Sequence, residues 1–421
     1  MAGEFALSSL GEGAKRMVSS APMDAAEVLL SGRRAKRLAQ RLARMRGAAM
    51  KLGQLLSLEG DDLLPPEFAE ALAALRSSAD AMPVSQVRRV MGREFGKGWE
   101  ERFRDFDFEP IGSASIGQVH EAVAADGREL ALKIQYPGVA RSIGSDIDNL
   151  ATMLRMTKLL PVDLEIEPIV AEAKRQLKQE ADYLLEAGFL SRYRELVADE
   201  PGFFVPRVHE DLTTTRVLAM DRARGRPIED LRGADVAQAV RDDVGRRLQH
   251  LMLRELFEFR YMQTDPNFAN YLYEPESAQL VLLDFGSVRE FEAEFIAKYV
   301  RMVRAMLADD RDGILQAAVD IGYLAADERP DRAEALVDLI LMIAEPLSYD
   351  GEYDFQRSDL SVRAREAGFA LAFRRGFMRA PPPQTIFLHR KLGGTFLLCS
   401  HIRARVDTRS ILVPLLDDLG L

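Results

Sequence analysis

A chain of 421 residues is too long for one hydrophobic core and predicts two or three packed lobes. Its 47% apolar and 29% charged residues exclude a disordered or fibrous protein, and its net charge of −10 argues against general affinity for nucleic acid, whose phosphates demand a positive field. One cysteine, Cys399, excludes an intrachain disulfide and a thiolate zinc cluster and fits a reducing cytosol; five scattered histidines show no ligand spacing.

In chain order, residues 1–24 read as a flexible leader without the basic-then-apolar order of a secretion signal. From Ala25 to Gln54, Leu38, Leu42, Met45, Ala49 and Leu52 recur at helical spacing, with arginines on the other side. Between Ser31 and Lys51 there is no acidic residue, which suits either an anionic lipid surface or the solvated face of a packed helix. A further helix is predicted after Pro65-Pro66, because proline is tolerated in a first helical turn and Glu67 suits the positive dipole end. Near Phe106 the texture changes. Ser115–Val123 and Leu130–Gln135, joined by Ala125-Asp126-Gly127, read as a β-hairpin, and Asp146 to Arg194 as charged helix. Phe203–Val208 and Thr215–Met220 read as strands, Ala234–Arg260 as a long helix, and Tyr271–Tyr273 and Leu280–Leu283 as short strands. From Phe291 the pattern is almost entirely helical. Strands first and helices later predict an α+β fold of two lobes with an N-terminal helical extension: extension 25–105, smaller lobe 106–220 with a helical insertion, larger lobe 221–421. No stretch approaches the roughly 20 apolar residues that span a bilayer.

The strongest chemical signal is Asp265-Pro266-Asn267-Phe268-Ala269-Asn270, followed 14 residues later by Asp284-Phe285-Gly286. A kinase catalytic loop has an aspartate, four residues and an asparagine, and a hairpin separates it from a metal-binding Asp-Phe-Gly. The hairpin returns the chain so that Asn270 and Asp284 share one hard cation, Mg²⁺, while Asp265 accepts a hydroxyl proton or orients water. Lys133, flanked by apolar strand residues, stands where a kinase neutralises the phosphates of ATP, with Glu186 as its expected partner. Gly112–Gln118 occupies the place of the glycine-rich loop, so Ala114 and Ser115 are expected over the phosphates. Alanine in place of glycine removes the closest approach to them. By position alone, Met220, Asp221, Arg222 and Ala223 form either a hinge offering backbone groups to adenine or a plain charged connection.

These residues resemble the UbiB or AarF family of atypical kinases, in its ubiquinone-linked branch. The likeness rests on Lys51-Leu52-Gly53-Gln54, Ser115-Ile116-Gly117-Gln118-Val119-His120, Lys133, Glu180-Ala181-Asp182-Tyr183, Glu186-Ala187, Gln263-Thr264-Asp265-Pro266-Asn267 and Asp284-Phe285-Gly286. Arg390-Lys391-Leu392-Gly393-Gly394 is also similar to that branch. The resemblance implies that Lys51 and Gln54 reach into the nucleotide cleft where a peptide would otherwise bind. Glu180 and Asp182 would face them, with Glu180 a partner for Lys51. Ala114 would disfavour transfer to proteins.

Independently, helical sequence follows Asp284 almost at once and no Ala-Pro-Glu closes an activation segment, so a peptide platform is missing. The leading expectation is a Mg-ATP-dependent ATPase or small-molecule phosphotransferase supporting quinone biosynthesis, peripheral at the inner membrane. Its partners would be a quinone-precursor lipid, an anionic membrane surface and quinone-biosynthesis enzymes, with a dimer allowed and no nucleic acid. The competing expectations are a protein kinase acting on peptide hydroxyls and a nucleotide-binding scaffold without chemistry.

Overall fold

The computed structural model describes residue 48 and residues 81–156, 167–377 and 381–419. The expected leader, the basic helix with Lys51 and Gln54, and the helix after Pro65-Pro66 lie outside the described residues. Cα packing divides the chain into two compact units, Met1–Asp80 with Ser145–Val170, and Ala81–Gly144 with Ala171–Leu421. The second unit carries every element described below except most of α2 and the start of α3.

Helix α1 (Val84–Phe95) precedes the antiparallel strands β1 (Phe103–Ser113), β2 (Gly117–Ala124) and β3 (Glu129–Gln135). The predicted hairpin is β2–β3, paired from Gly117↔Gln135 to Val123↔Glu129 around a turn in which Gly127 takes φ 96° and donates to the Ala124 carbonyl at 2.9 Å. Its first strand starts at Gly117 rather than Ser115. The Ala114 N–H donates to the Gly117 carbonyl, which closes the β1–β2 turn and withholds residues 114–116 from the ladder. After β3 come α2 (Val139–Met156), α3 (Glu167–Glu180) and α4 (Tyr183–Leu196). Asp182 caps α4 by accepting from the Leu184 N–H at 3.1 Å.

The two strands expected next are shorter or shifted. Phe203–Phe204 (β4) forms the strand, because Pro206 has no N–H to continue the ladder, and Val208 makes only an isolated bridge to Met220. Val217–Asp221 (β5) starts two residues late, since the Thr214 hydroxyl accepts from the N–H groups of Arg216 and Val217 and turns the chain there. The first sheet runs β1-β2-β3-β5. One of its faces carries α1: Val87, Val90, Met91 and Trp99 share a buried core with Leu130, Leu132, Ile134 and Val217, although α1 falls in the span read as extension.

A buried polar relay locks β2 to Met82, two residues before α1. Gln118 accepts from the Met82 N–H at 2.7 Å, which fixes its amide so that Nε2 donates to His120 Nε2 at 2.6 Å. His120 Nδ1 must then carry the ring proton and donate it to the Asp107 carbonyl at 2.8 Å. Burial depresses the His120 pKa below 6.5 despite the nearby Asp107 carbonyl and carboxylate. An unfolded chain therefore binds a proton that the fold refuses, and stability falls as pH drops below about 6.5. The melting temperature is expected to decline between pH 7 and pH 5.5, and His120→Gln to flatten part of that decline; an unchanged slope would refute the assignment.

The larger lobe starts with β6 (Arg226–Pro227) and α5 (Gln238–Phe257), which stops short of the predicted Arg260, itself at φ 52°. Strands β7 (Tyr261–Gln263), β8 (Tyr271–Glu274), β9 (Gln279–Leu282) and β10 (Val288–Glu290) follow. β8 and β9 form the expected hairpin in a sheet ordered β4-β9-β8-β6, while β10 pairs with β7. Helices α6 (Ala293–Leu307), α7 (Arg311–Ile321), α8 (Pro330–Ile343), α9 (Glu345–Ser348), α10 (Leu360–Phe369), α11 (Pro383–His401) and α12 (Thr408–Asp418) complete the chain. The helical expectation after Phe291 holds, with one ladder between β11 (Tyr353–Asp354) and β12 (Arg405–Val406) as the exception. Met252, Leu256, Phe295, Val300, Ile314, Val337 and Leu412 lie in the core of this lobe.

Candidate active site

Lys133 points from the middle of β3 and is 7% exposed, so its charge requires a partner. It finds Glu186 in the first turn of α4, Nζ to Oε1 at 2.6 Å, and Asp284 at 3.4 Å. Burial draws the Lys133 pKa down, but the Asp284 and Glu186 carboxylates outweigh it and hold the ammonium above the ordinary lysine range. Burial pushes Glu186 the other way, to about 7, against the pull of Lys133. The Tyr183 ring lies 5.3 Å from Lys133 Nζ. Three sequence-distant groups, on a strand, in a helix and just after a hairpin, thus meet, and the pairing of Lys133 with Glu186 is the one expected from the sequence.

The β1–β2 turn sits beside them. Ser115 Oγ donates to Glu180 Oε2 at 2.9 Å, which joins the expected phosphate loop to the end of α3. Gly117 is obligatory: an added Cβ would overlap the Ile134 carbonyl and stand 2.9 Å from the Tyr183 hydroxyl. Asp182 serves as the α4 cap, so its side chain has a local task beside the cleft role expected of it. Whether Glu180 and Asp182 face Lys51 and Gln54 lies outside the described residues.

Asn267 caps the short turn Phe268–Asn270 by accepting from the Ala269 N–H, and Asn270 Nδ2 donates to the Asp265 carbonyl at 3.0 Å. That bond leaves the Asn270 carboxamide oxygen without a partner among the described residues. The Leu283 N–H donates to the Asn270 carbonyl at 3.0 Å, bringing Asp284 next to Asn270 through the β8–β9 hairpin. Asp284 Oδ1 accepts from the Gly286 N–H at 2.8 Å, and Phe285 is buried against Tyr193 with ring centres 4.5 Å apart. One carboxylate and one amide oxygen form a hard-donor pair that fits Mg²⁺, an ion that keeps water and phosphate oxygens as its remaining ligands. Among the described residues no cluster of three or more His, Cys, Asp or Glu offers an alternative metal cage.

Helix α11 supplies what sequence reasoning left without a role. Arg390 Nη2 pairs with Asp265 Oδ1. One residue on, Lys391 pairs with the fully buried Glu255 of α5 at 2.7 Å. Glu255 also accepts from the Tyr193 hydroxyl at 2.7 Å and from the Gln263 N–H at 3.0 Å. Gln263 Nε2 in turn donates to the Asp265 carbonyl at 2.7 Å and to the Asp284 carbonyl at 3.3 Å. One turn beyond Arg390, on the same helix face, Gly394 lies so close to Pro266 that an added Cβ would overlap its ring. Little in the sequence signals this pair, because Glu255 follows Arg254 and Lys391 follows His389 and Arg390, so neither stands as a lone charge among apolar residues.

Of the four hinge residues, Asp221 and Arg222 already use their N–H groups, donating to the carbonyls of Arg207 at 2.9 Å and Glu129 at 3.1 Å. The Asp221 carboxylate binds His209 at 2.8 Å and the Arg222 side chain binds Glu121 at 2.6 Å. Met220 pairs with Ala131 in the sheet. The Ala223 N–H has no backbone partner among the described residues.

The model of the ABC1 atypical kinase-like domain matches residues 74–318. The chain is 41% identical to the rat mitochondrial atypical kinase COQ8B over 90% of its length and 71% of that protein's. It is 38% identical to yeast mitochondrial atypical kinase COQ8 over 90% of its own length and 75% of that chain's. Among solved structures, the Rv3197–erythromycin complex from Mycobacterium tuberculosis is similar, with a TM-score of 0.62, 25% identity, and coverage of 93% of this chain and 97% of that one.

Proposed function

Since the chain belongs to the ABC1 atypical kinase family and is an enzyme of phosphotransferase type, we propose that it binds Mg-ATP and turns it over by hydrolysis or transfer to a small molecule, in support of ubiquinone biosynthesis. The observation that carries this reading is the Lys133–Glu186–Asp284 cluster, with Asn270 and Asp265 one hairpin away. Lys133 neutralises the α- and β-phosphates, and Glu186 holds its ammonium in place. Asn270 and Asp284 hold the Mg²⁺, which offsets the charge of the phosphates. The turn carrying Ala114 and Ser115 covers the phosphates. At the hinge the Asp221 carbonyl and the Ala223 N–H receive adenine, because the intervening N–H groups already donate within the fold. Asp265 orients the attacking water or hydroxyl, and Arg390 fixes the direction of its carboxylate.

Two observations favour water or a small molecule over a peptide as acceptor. After Gly286 the chain pairs immediately as β10 and enters α6 at Ala293, which leaves no span for a substrate platform. Asp265 is also already paired with the Arg390 guanidinium, which holds its carboxylate in one direction and suits it to orienting a small nucleophile. No described helix is long and apolar enough to cross a membrane, and a peripheral place at a quinone-bearing membrane is the reading the resemblance favours.

Mg²⁺-dependent phosphate release from ATP by the purified protein tests the proposal. Asp284→Asn should abolish the Mg²⁺ dependence and reduce turnover by about 10²-fold or more, since a charge of the metal site is lost. Equal turnover in parent and variant would leave a nucleotide-binding scaffold as the function.

A further inference from the structure

On the outer side of β3 lies a cavity of about 270 Å³ that the nucleotide chemistry does not use. Arg93 of α1, Arg141 in the first turn of α2, and Arg216 just before β5 line it, with Tyr136 and Gly138 at the end of β3 and no carboxylate among the lining residues. Arg216 has Glu94 at 3.1 Å, whereas neither Arg93 nor Arg141 forms an ion pair with a described carboxylate. Three guanidinium groups around one concavity, with a single carboxylate paired to one of them, make a positive field that favours an anion between them.

The start of α2 adds to this independently. Gly138 takes φ 84° and turns the chain into the helix, and the Ala140 N–H, at the cavity wall, makes no backbone hydrogen bond among the described residues. The first turn has no acidic residue, and Arg141 Nη2 lies 3.9 Å from where a Gly138 Cβ would be, so a cation is folded over the positive end of a helix. A helix start favours negative charge, and an arginine held there opposes the dipole unless a ligand supplies that charge. Arginine forks match phosphate oxygens in pairs. The volume is at the small end for ligand pockets, which suits a phosphate group with a short organic stem.

We propose that this cavity is a phosphomonoester site, separate from the nucleotide cleft, with Arg93, Arg141 and Arg216 as its ligands. Its floor is mechanically joined to the cleft: the Tyr136 N–H donates to the Ile116 carbonyl at 2.9 Å and Gln135 Nε2 donates to the Ala181 carbonyl at 2.8 Å. Phosphate on a soluble metabolite and phosphate on a lipid headgroup share this chemistry, and two probes separate them. Glycerol 3-phosphate binding is measured by calorimetry, and binding to phosphatidic acid vesicles by co-sedimentation. Both are done on the full chain, on Arg93→Gln/Arg141→Gln, and on Lys133→Met as the control for phosphate entering the nucleotide cleft.

Loss of glycerol 3-phosphate affinity by roughly tenfold or more in the arginine variant, with Lys133→Met at the parent's value, supports a soluble ligand. The same pattern for vesicles alone supports a headgroup. The proposal is overturned if the parent binds neither probe, if the arginine variant binds both as the parent does, or if Lys133→Met loses binding equally. Both arginines are exposed, so the variant is expected to keep the parent's melting temperature, and that measurement accompanies the titrations.

Discussion

Asp265→Asn is expected to lower kcat for ATP turnover by about 10²- to 10⁴-fold, the usual contribution of a positioned acid–base group, with a much smaller change in KM. The reason is the division of labour in the site. On the proposed reading, nucleotide affinity rests on Lys133, Asn270 and Asp284, which the substitution leaves intact, whereas Asp265 acts on the nucleophile. Asparagine keeps the shape and can still accept from Arg390, so the loop should hold its course. Arg390→Lys should fall between parent and Asp265→Asn, because a single ammonium replaces a planar fork that fixes the carboxylate direction. Steady-state phosphate release resolves both. If Asp265→Asn raised KM and left kcat alone, the residue would be a binding group and the assignment would fail.

Lys391→Met should destabilise the protein by about 3–5 kcal/mol, because it leaves the Glu255 carboxylate buried without its counter-charge. Burial already raises the Glu255 pKa, and Lys391 and Tyr193 oppose that rise. Without the ammonium the pKa climbs further. A carboxyl raised in the fold loses stability as pH rises through its folded pKa, so the defect should be smaller in mild acid and larger at neutral pH. Glu255→Gln/Lys391→Met, which removes both charges, should recover most of the loss. Denaturant midpoints for the two single variants and the double close the cycle. Additive losses would show that the pair is not coupled. Activity should fall with stability in Lys391→Met, since Gln263, held by the Glu255 network, donates to the backbone of both Asp265 and Asp284.

Much of this was legible in the residues. The β2–β3 and β8–β9 hairpins were read from apolar runs around turn residues, because a tight turn and a two-residue alternation are local properties. Strand β1 was not named. Its alternating Phe106 and Phe108 pack on Trp99, and the intervening charges hid the pattern in a segment with a register shift at Pro110. The ends of β4 and β5 were misplaced because Pro206 and the Thr214 hydroxyl act on single hydrogen bonds that no window average sees. In the site, the structure brings Lys133, Glu186 and Asp284 together and sets Asn270 and Asp265 one hairpin away, an arrangement that the residue types and the Asp265–Asn270–Asp284 spacing suggested. Arg390, Lys391 and Glu255 were not assigned roles, because Arg390 and Lys391 reach the Asp265 loop across 125 and 128 residues.

By itself the sequence determined the class of chemistry: a lysine on an apolar strand, an aspartate and an asparagine five residues apart, and an Asp-Phe-Gly after a hairpin admit few uses other than Mg-nucleotide. Tertiary structure decided what holds those groups. Helix α11 lays Arg390 on Asp265, Lys391 on Glu255 and Gly394 on Pro266, and the walls of the arginine cavity come from three separate segments. Spacing along a chain records contacts within a turn or a hairpin. A contact between helices far apart in sequence depends on how whole faces pack, which only the folded core specifies.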